Sequence, residues 1–333
     1  MMKWFNNRSG NWWKVLVITF LSFLSVGNLA AEEVRPREVK VGYVVLDVDG
    51  VNSAQQSFTL NIFFRARWHD PKEVHDGEKA IIKDLGDVWH PNIQITNRKK
   101  AFDTMEEIVT IEPDGMVSYS QRVWGDFSQI LNLADFPFDS QKFEVDLVSV
   151  GNSPEEVQFI LDDLDVSGIS DEFSLPDWEV TGHKAWGHNS VIFKGMDTIP
   201  MFTISMEATR YSWYYLVKVI LPLVLIVAMS WIVFWIDPEQ WSTQIGVATT
   251  SMLTLIAYRF TIDRLVPAVS YLTKMDEFIL SATMLVFITL CEAVMTGVLT
   301  KKGKPDLALT VDKWFRIFIP LSFIALASHA FLS

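Results

Sequence analysis

The sequence predicts a β-sandwich followed by a bundle of four membrane-spanning helices, and three observations carry that prediction. First, charge and hydropathy separate along the chain. A net charge of −12 fits poorly with 50% hydrophobic residues unless the two properties lie in different segments. They do: most Asp and Glu precede Arg210, and long apolar runs dominate after it. Second, the part before Arg210 alternates in twos, with turn signals between the runs. Third, four apolar segments follow, each long enough to cross about 30 Å of hydrocarbon as a helix.

The expected division is 1–31, 32–210 and 211–333. Lys3, Arg8 and Lys14 form a basic leader, 15–26 is apolar but short for a span, and Ala30 and Ala31 supply small residues for cleavage. Residues 1–31 therefore read as a secretory signal, with a retained anchor helix as the alternative. Export places the acidic domain outside the cytoplasm. Cys291 is the only cysteine of the chain, so no internal disulfide can form and the outer domain must rely on its core.

Within 32–210, Phe58-Thr59-Leu60-Asn61-Ile62-Phe63 and Lys142-Phe143-Glu144-Val145-Asp146-Leu147-Val148 alternate as half-buried strands do. Asp114-Gly115 between two β-prone runs is a strong hairpin signal. Roughly ten short strands over this length suggest a sandwich, with a short helix or loop over 74–85.

The apolar segments are expected at about 213–236, 239–262, 276–300 and 314–332. Trp213, Tyr214, Tyr215, Trp231, Trp235 and Trp241 cluster near their ends, as an interfacial aromatic belt would. Pro222 falls inside the first, where a kink is expected. Lys301, Lys302, Lys304, Lys313 and Arg316 crowd the connection between the third and fourth segments. The positive-inside bias puts that connection in the cytoplasm, which agrees with an exported N-terminal domain.

The second segment differs from the others. Asp237-Pro238-Glu239 supplies a cap, a first-turn proline and an acid at the positive helix end. At 100° per residue, Glu239, Thr243, Gly246, Thr250, Leu253, Ala257, Phe260 and Arg264 share one face. That face is polar toward the cytoplasm and apolar further out. A ring of such helices can enclose water; alternatively, the small polar face packs on neighbouring helices. In the first case Leu253 and Phe260 form apolar constrictions and Glu239 an acidic ring at the inner mouth.

Phe136-Pro137-Phe138-Asp139-Ser140-Gln141 resembles the Phe-Pro-Phe-Asp signature of the Cys-loop in pentameric ligand-gated ion channels. The positions that hold the flanking cysteines in that family carry Gln129 and Phe143 here, as in its bacterial branch. Further motifs follow in family order. Trp89-His90-Pro91-Asn92 resembles a principal-face binding loop, and Phe63 to Asp70 the complementary-face strand. Arg210 matches the pre-membrane arginine, Ser251-Met252-Leu253-Thr254 and Ala257-Tyr258-Arg259-Phe260 look like the pore helix, and Pro267 and Tyr271 fall in the linker after it. The resemblance spans about residues 38 to 332 and implies a ten-stranded sandwich above four helices, five subunits around one axis, in a bacterial inner membrane with the N-terminal domain outside. Two departures stand out: Val150 replaces a frequent aromatic in the second principal-face loop, and Ser242 and Thr243 occupy the place where cation-selective members tend to carry Glu.

The resemblance assigns roles residue by residue. Asp139 and Arg210 should meet at the domain junction together with Asp47 or Asp49, while Phe136, Pro137 and Phe138 press on the Pro267–Tyr271 linker. A static ion pair and ordinary packing are the alternatives. A ligand site at the subunit interface would draw on Phe63, Trp89, Arg122, Trp124, Trp186 and Phe193, each equally readable as core or surface. Glu292 inside the third segment is an intramembrane carboxylate, and so a functional candidate, or a group pairing with a nearby hydroxyl. Lys218 should snorkel outward. No nucleophile motif, phosphate loop or metal-ligand spacing occurs, so neither an enzyme nor a cofactor or metal is expected. The expected partners are four copies of the chain, membrane lipid, permeant monovalent cations and a small-molecule or ionic agonist, and no nucleic acid. Helices that merely anchor a sensor would not need the polar face of the second segment.

Overall fold

The computed structural model describes residues 35–164, 167–170, 173–192, 194–195, 197–263 and 269–332. The expected leader at 1–31, together with Phe193, Arg264 and Pro267, lies outside the described residues.

Among the described residues two sheets form the N-terminal domain. The strands are β1 (Arg37–Asn52), β2 (Ser57–His69), β3 (Ile81–Asp84), β4 (Ile93–Ile95), β5 (Arg98–Asp103), β6 (Ile108–Ile111), β7 (Met116–Ser128), β8 (Ser140–Ser149), β9 (Val157–Leu161), β10 (Gly168–Ile169), β11 (Trp178–Ser190) and β12 (Ile199–Arg210). The larger sheet runs β10-β1-β2-β7-β6-β3, with β9 on β1 and β5 on β7; the smaller runs β11-β12-β8-β4. The described strands outnumber the ten expected because β4 and β10 are too short to show alternation. Of the two readings of 74–85, the loop holds as far as residue 80; β3 follows, and a 3-10 turn begins at Leu85.

The alternation in the sequence sets which side chains face inward. Phe58, Leu60, Ile62, Phe64, Ala66 and Trp68 of β2 are buried, as are Gln141, Phe143, Val145 and Leu147 of β8. A one-residue slip of β2 would turn all six of these apolar residues to the opposite face. The sheets lock through aromatic contacts: Phe58 stacks on Phe127 at 5.6 Å and meets Phe143 of the other sheet at 5.1 Å, and Phe143 meets Trp178 at 5.5 Å. The Asp114-Gly115 hairpin joins β6 and β7; Gly115 has φ +82°, and a Cβ there would lie 2.7 Å from the Asp70 carbonyl oxygen.

Among the described residues four long helices follow: α1 (Trp213–Trp235), α2 (Pro238–Ile262), α3 (Lys274–Lys301) and α4 (Pro305–Phe331). A π turn at Leu216–Ile220 precedes Pro222, so the missing N–H falls where the hydrogen-bond register already changes. Asp237 accepts from the Glu239 N–H at 2.9 Å and starts α2 as expected. Thr273 and Asp276 form a reciprocal capping box that starts α3 two residues before the expected point. α4 begins at Pro305 and not at 314, because Leu307, Ala308 and Val311 extend the apolar pattern back through the charged turn. The basic connection between α3 and α4 is therefore short. Lys218 lies over Tyr214 at 4.4 Å at one end of the bundle, and Lys301 over Trp241 at 3.7 Å at the other. Such amphipathic pairs suit the two membrane interfaces.

Candidate functional site

The two domains meet around Arg210, the last residue of β12. Its Nε donates to Asp139 Oδ1 at 2.7 Å and its second guanidinium nitrogen to Oδ2 at 3.1 Å, a two-pronged contact between side chains that are 5% and 1% exposed. The guanidinium also lies over Trp178 at 4.1 Å and Phe136 at 5.0 Å. The ion pair thus closes the aromatic chain that runs through the sandwich. Asp47 and Asp49 are engaged elsewhere. Asp47 accepts from the Ser174 N–H at 2.7 Å, and Asp49 from Trp124 Nε1 at 2.8 Å. Partial burial alone would push the Asp47 carboxyl up, but donors on Ser174 and the Val48 N–H hold it below the usual carboxylate range. Asp49 still lines the cavity of about 460 Å³ that Phe136, Trp178, Arg210 and Tyr215 share.

The loop before β8 reaches the helices on three sides. Phe136 meets Tyr215 of α1 edge-on at 4.8 Å, and Phe138 meets Phe331 of α4 at 5.5 Å. The linker before α3 supplies the third: Tyr271 Oη accepts from the Leu133 N–H at 2.8 Å, and the N–H groups of Lys274 and Met275 donate to the Ala134 and Phe136 carbonyls at 2.9 and 3.2 Å. Those two N–H groups open α3, so the loop satisfies donors that the helix itself cannot. Lys274 also pairs with Asp135 at 3.0 Å.

Sequence reasoning missed how this loop is closed. Gln141 Nε2 donates to the Asn132 carbonyl at 2.6 Å and to Asp139 Oδ2 at 2.7 Å, while Gln141 Oε1 accepts from the Asn132 N–H at 3.2 Å. At the positions matched to the family's cysteines, Gln129 accepts from the Glu144 N–H at 3.3 Å and Phe143 is core. Amide hydrogen bonds tie the loop where no disulfide exists. The signal was available: Gln141 sits in the inward phase of β8, where a polar residue needs a partner.

On α2, Glu239, Thr243, Gly246, Thr250, Leu253, Ala257 and Phe260 are all exposed in the isolated subunit. The opposite stripe of Gln244, Ala248, Ser251, Leu255 and Ile262 is buried in the bundle. Thr250 and Thr254 bond back to the Gly246 and Thr250 carbonyls at 2.8 Å each, so their hydroxyl hydrogens are satisfied within the helix while the oxygens face outward.

Glu292 is 2% exposed and faces Asp312 of α4, itself 0% exposed. The hydroxyl of nearby Thr296 bonds back to the Glu292 carbonyl oxygen, not to its carboxyl group.

The ligand-site candidates fall into separate groups. Phe63 and Arg122 are register partners on β2 and β7, and Trp124 shares their outer face. Arg122 Nε bonds Asn61 at 2.9 Å. Trp89 packs edge-on against core Trp68 at 6.1 Å, under the Arg37 guanidinium at 3.8 Å. Trp186 sits on β11, stacked with His188 at 5.9 Å and under Lys184 at 5.4 Å. Two of the loops are joined: Ser149 Oγ donates to the Pro91 carbonyl at 2.6 Å and Asn92 Nδ2 to the Val150 carbonyl at 2.9 Å. Within one subunit the Phe63 face and the Trp186 strand lie on different sheets.

Residues 29–206 match the family model of the neurotransmitter-gated ion-channel ligand binding domain, and residues 219–307 that of the neurotransmitter-gated ion-channel transmembrane region. The chain therefore belongs to the neurotransmitter-gated ion-channel family, whose members are channels and not enzymes. It is a membrane protein with an extracellular N-terminal ligand-binding domain, as in that family. A relative of known identity is the gamma-aminobutyric acid receptor subunit beta of Caenorhabditis elegans, 24% identical over 260 residues that make up 75% of this chain and 47% of the relative. The chain spans about half the length of that curated relative.

Proposed function

We propose that five copies of this chain form a disulfide-free channel of the kind found in the family's bacterial branch, with α2 lining the pore. Monovalent cations permeate it, and a small-molecule or ionic agonist, or a pH change, at the outer domain opens it. One observation carries this reading: the α2 face that is polar at its inner half is the face the subunit's own bundle leaves uncovered. Lipid offers hydroxyls and a carboxylate nothing, whereas a water-filled axis solvates them. Leu253 and Phe260, 61% and 73% exposed, then narrow the path as apolar rings. The separation of Phe63, Arg122 and Trp124 from Trp186 supports an agonist site completed between neighbouring subunits. The loop before β8 and the Asp139–Arg210 pair pass the signal to α1, the α2–α3 linker and α4. The test is to record currents from purified protein in bilayers while screening pH and small amines, with reversal potentials measured in a salt gradient. Gated, cation-selective currents are expected. Anion preference would refute the selectivity, and the absence of any gated current under all conditions would refute the channel reading.

A further inference from the structure

The inner end of the bundle is held by an unusual residue for a buried helix stripe. Gln244 is 0% exposed and lies on the buried stripe of α2, about 100° round the helix from Thr243. Its Nε2 donates to the Ile236 carbonyl at 2.9 Å and lies 3.4 Å from that of Val233. It also lies 3.2 Å from Asp312 Oδ2 of α4. Its Oε1 lies 3.5 Å from the Thr296 hydroxyl of α3. One side chain of the second helix therefore touches the other three.

The partners explain why an amide is suited to this place. α1 ends at Trp235, where the helical ladder stops: the Val233 carbonyl keeps the Ile236 N–H at 3.2 Å, and the Ile236 carbonyl lies beyond the last turn. Gln244 reaches Val233 and Ile236, and Arg316 of α4 donates to the Phe234 carbonyl at 2.7 Å. The end of α1 is thus capped from outside, by residues of α2 and α4. A buried carbonyl left without a donor costs more than a hydrogen bond is worth in water, so the cap fixes where α2 sits against α1. Gln244 adjoins Thr243, the first inner pore-face position after Glu239, so the same contact sets the rotation with which α2 presents Thr243 and Gly246 to the axis.

We infer that Gln244 is a positioning residue for the inner pore: by capping α1 and bonding toward α3 and α4, it holds the inner end of α2 in the rotation that turns Thr243 and Gly246 to the axis. This inference rests on the pore assignment above. A purely structural role would make Gln244 matter for assembly alone. A positioning role makes it matter for pore geometry in channels that have assembled.

The experiment places Thr243→Cys or Leu253→Cys in a Cys291→Ser background and measures modification rates by a water-soluble thiol reagent in assembled pentamers, with single-channel conductance alongside. Gln244→Leu removes every polar contact, and Gln244→Met fills similar volume with a flexible apolar chain. The expected result is a change of about fivefold or more in the 243-to-253 rate ratio, the equilibrium equivalent of one lost net hydrogen bond, with altered conductance. An unchanged ratio and conductance in assembled variants overturns the inference, and so does failure of both variants to assemble, which would assign Gln244 to assembly. If Thr243→Cys is unreactive with Gln244 intact, the pore assignment itself has failed, and that outcome is read before any Gln244 variant is made.

Discussion

Neutralising either member of the Asp139–Arg210 pair should uncouple the outer domain from the pore without dismantling the channel. The pair is buried and doubly hydrogen-bonded, and removing one partner of such a pair costs about 3–5 kcal/mol. Each orphan here retains some company. Arg210 keeps the Trp178 ring at 4.1 Å, and Asp139 keeps Gln141 Nε2 at 2.7 Å. These contacts place each single loss near the lower end, about 3 kcal/mol. The double variant leaves no buried orphan charge, so its loss should fall short of the sum by about 2 kcal/mol. Asp139 also anchors the loop that caps α3, so part of that coupling should appear in opening. The assay is a double-mutant cycle on opening probability with Asp139→Asn and Arg210→Gln, normalised to surface pentamer. We expect assembled pentamers that bind agonist but open poorly, with non-additivity in the open-to-closed ratio of about fivefold or more. Additive effects, or normal gating per assembled channel, would refute the coupling role and leave a scaffold.

Three further outcomes follow from the same geometry. Leu253→Ser should hydrate the apolar constriction, so the channel opens at lower stimulus; an unchanged activation curve would count against a gate there. Glu239→Gln should lower cation conductance or selectivity, because a carboxylate ring concentrates cations in a narrow mouth; an unaltered channel would clear that residue. Gln141→Leu should loosen the loop before β8 and lower pentamer thermal stability by about 1–3 kcal/mol, the cost of orphaned buried groups; a stability equal to wild type would show that the loop closes by packing alone.

Much of the architecture was legible because it follows from periodicity. β2 and β8 alternate through most of their length, and apart from their ends at Ser57 and Val148 their buried residues are those the alternation selects. The α2 pattern divides into an exposed polar-to-apolar face and a buried stripe, again as the 100° spacing indicates. Short strands such as β10, and the amphipathic start of α4 near Asp306 and Asp312, carry too few residues or too many charges for such patterns to register. Long-range contacts were hidden for a different reason. That Phe331 would meet Phe138, or that Tyr271 would accept from Leu133, depends on how two domains stack, and no local period encodes it. The family resemblance placed Arg210 against Asp139, yet it did not reveal Gln141 or Gln244. Both can be found physically, as polar residues in the inward phase of otherwise apolar elements.

A channel built from this chain requires α2 to surround water. Single cysteines placed along α2 in a Cys291→Ser background, exposed to a water-soluble thiol reagent during current recording, test this directly. Modification at Thr243, Gly246, Thr250, Leu253 and Ala257 should block current, while Ala248, Ser251 and Leu255 on the buried stripe should be protected. Equal reactivity around the whole helix, or block confined to the buried stripe, would contradict it.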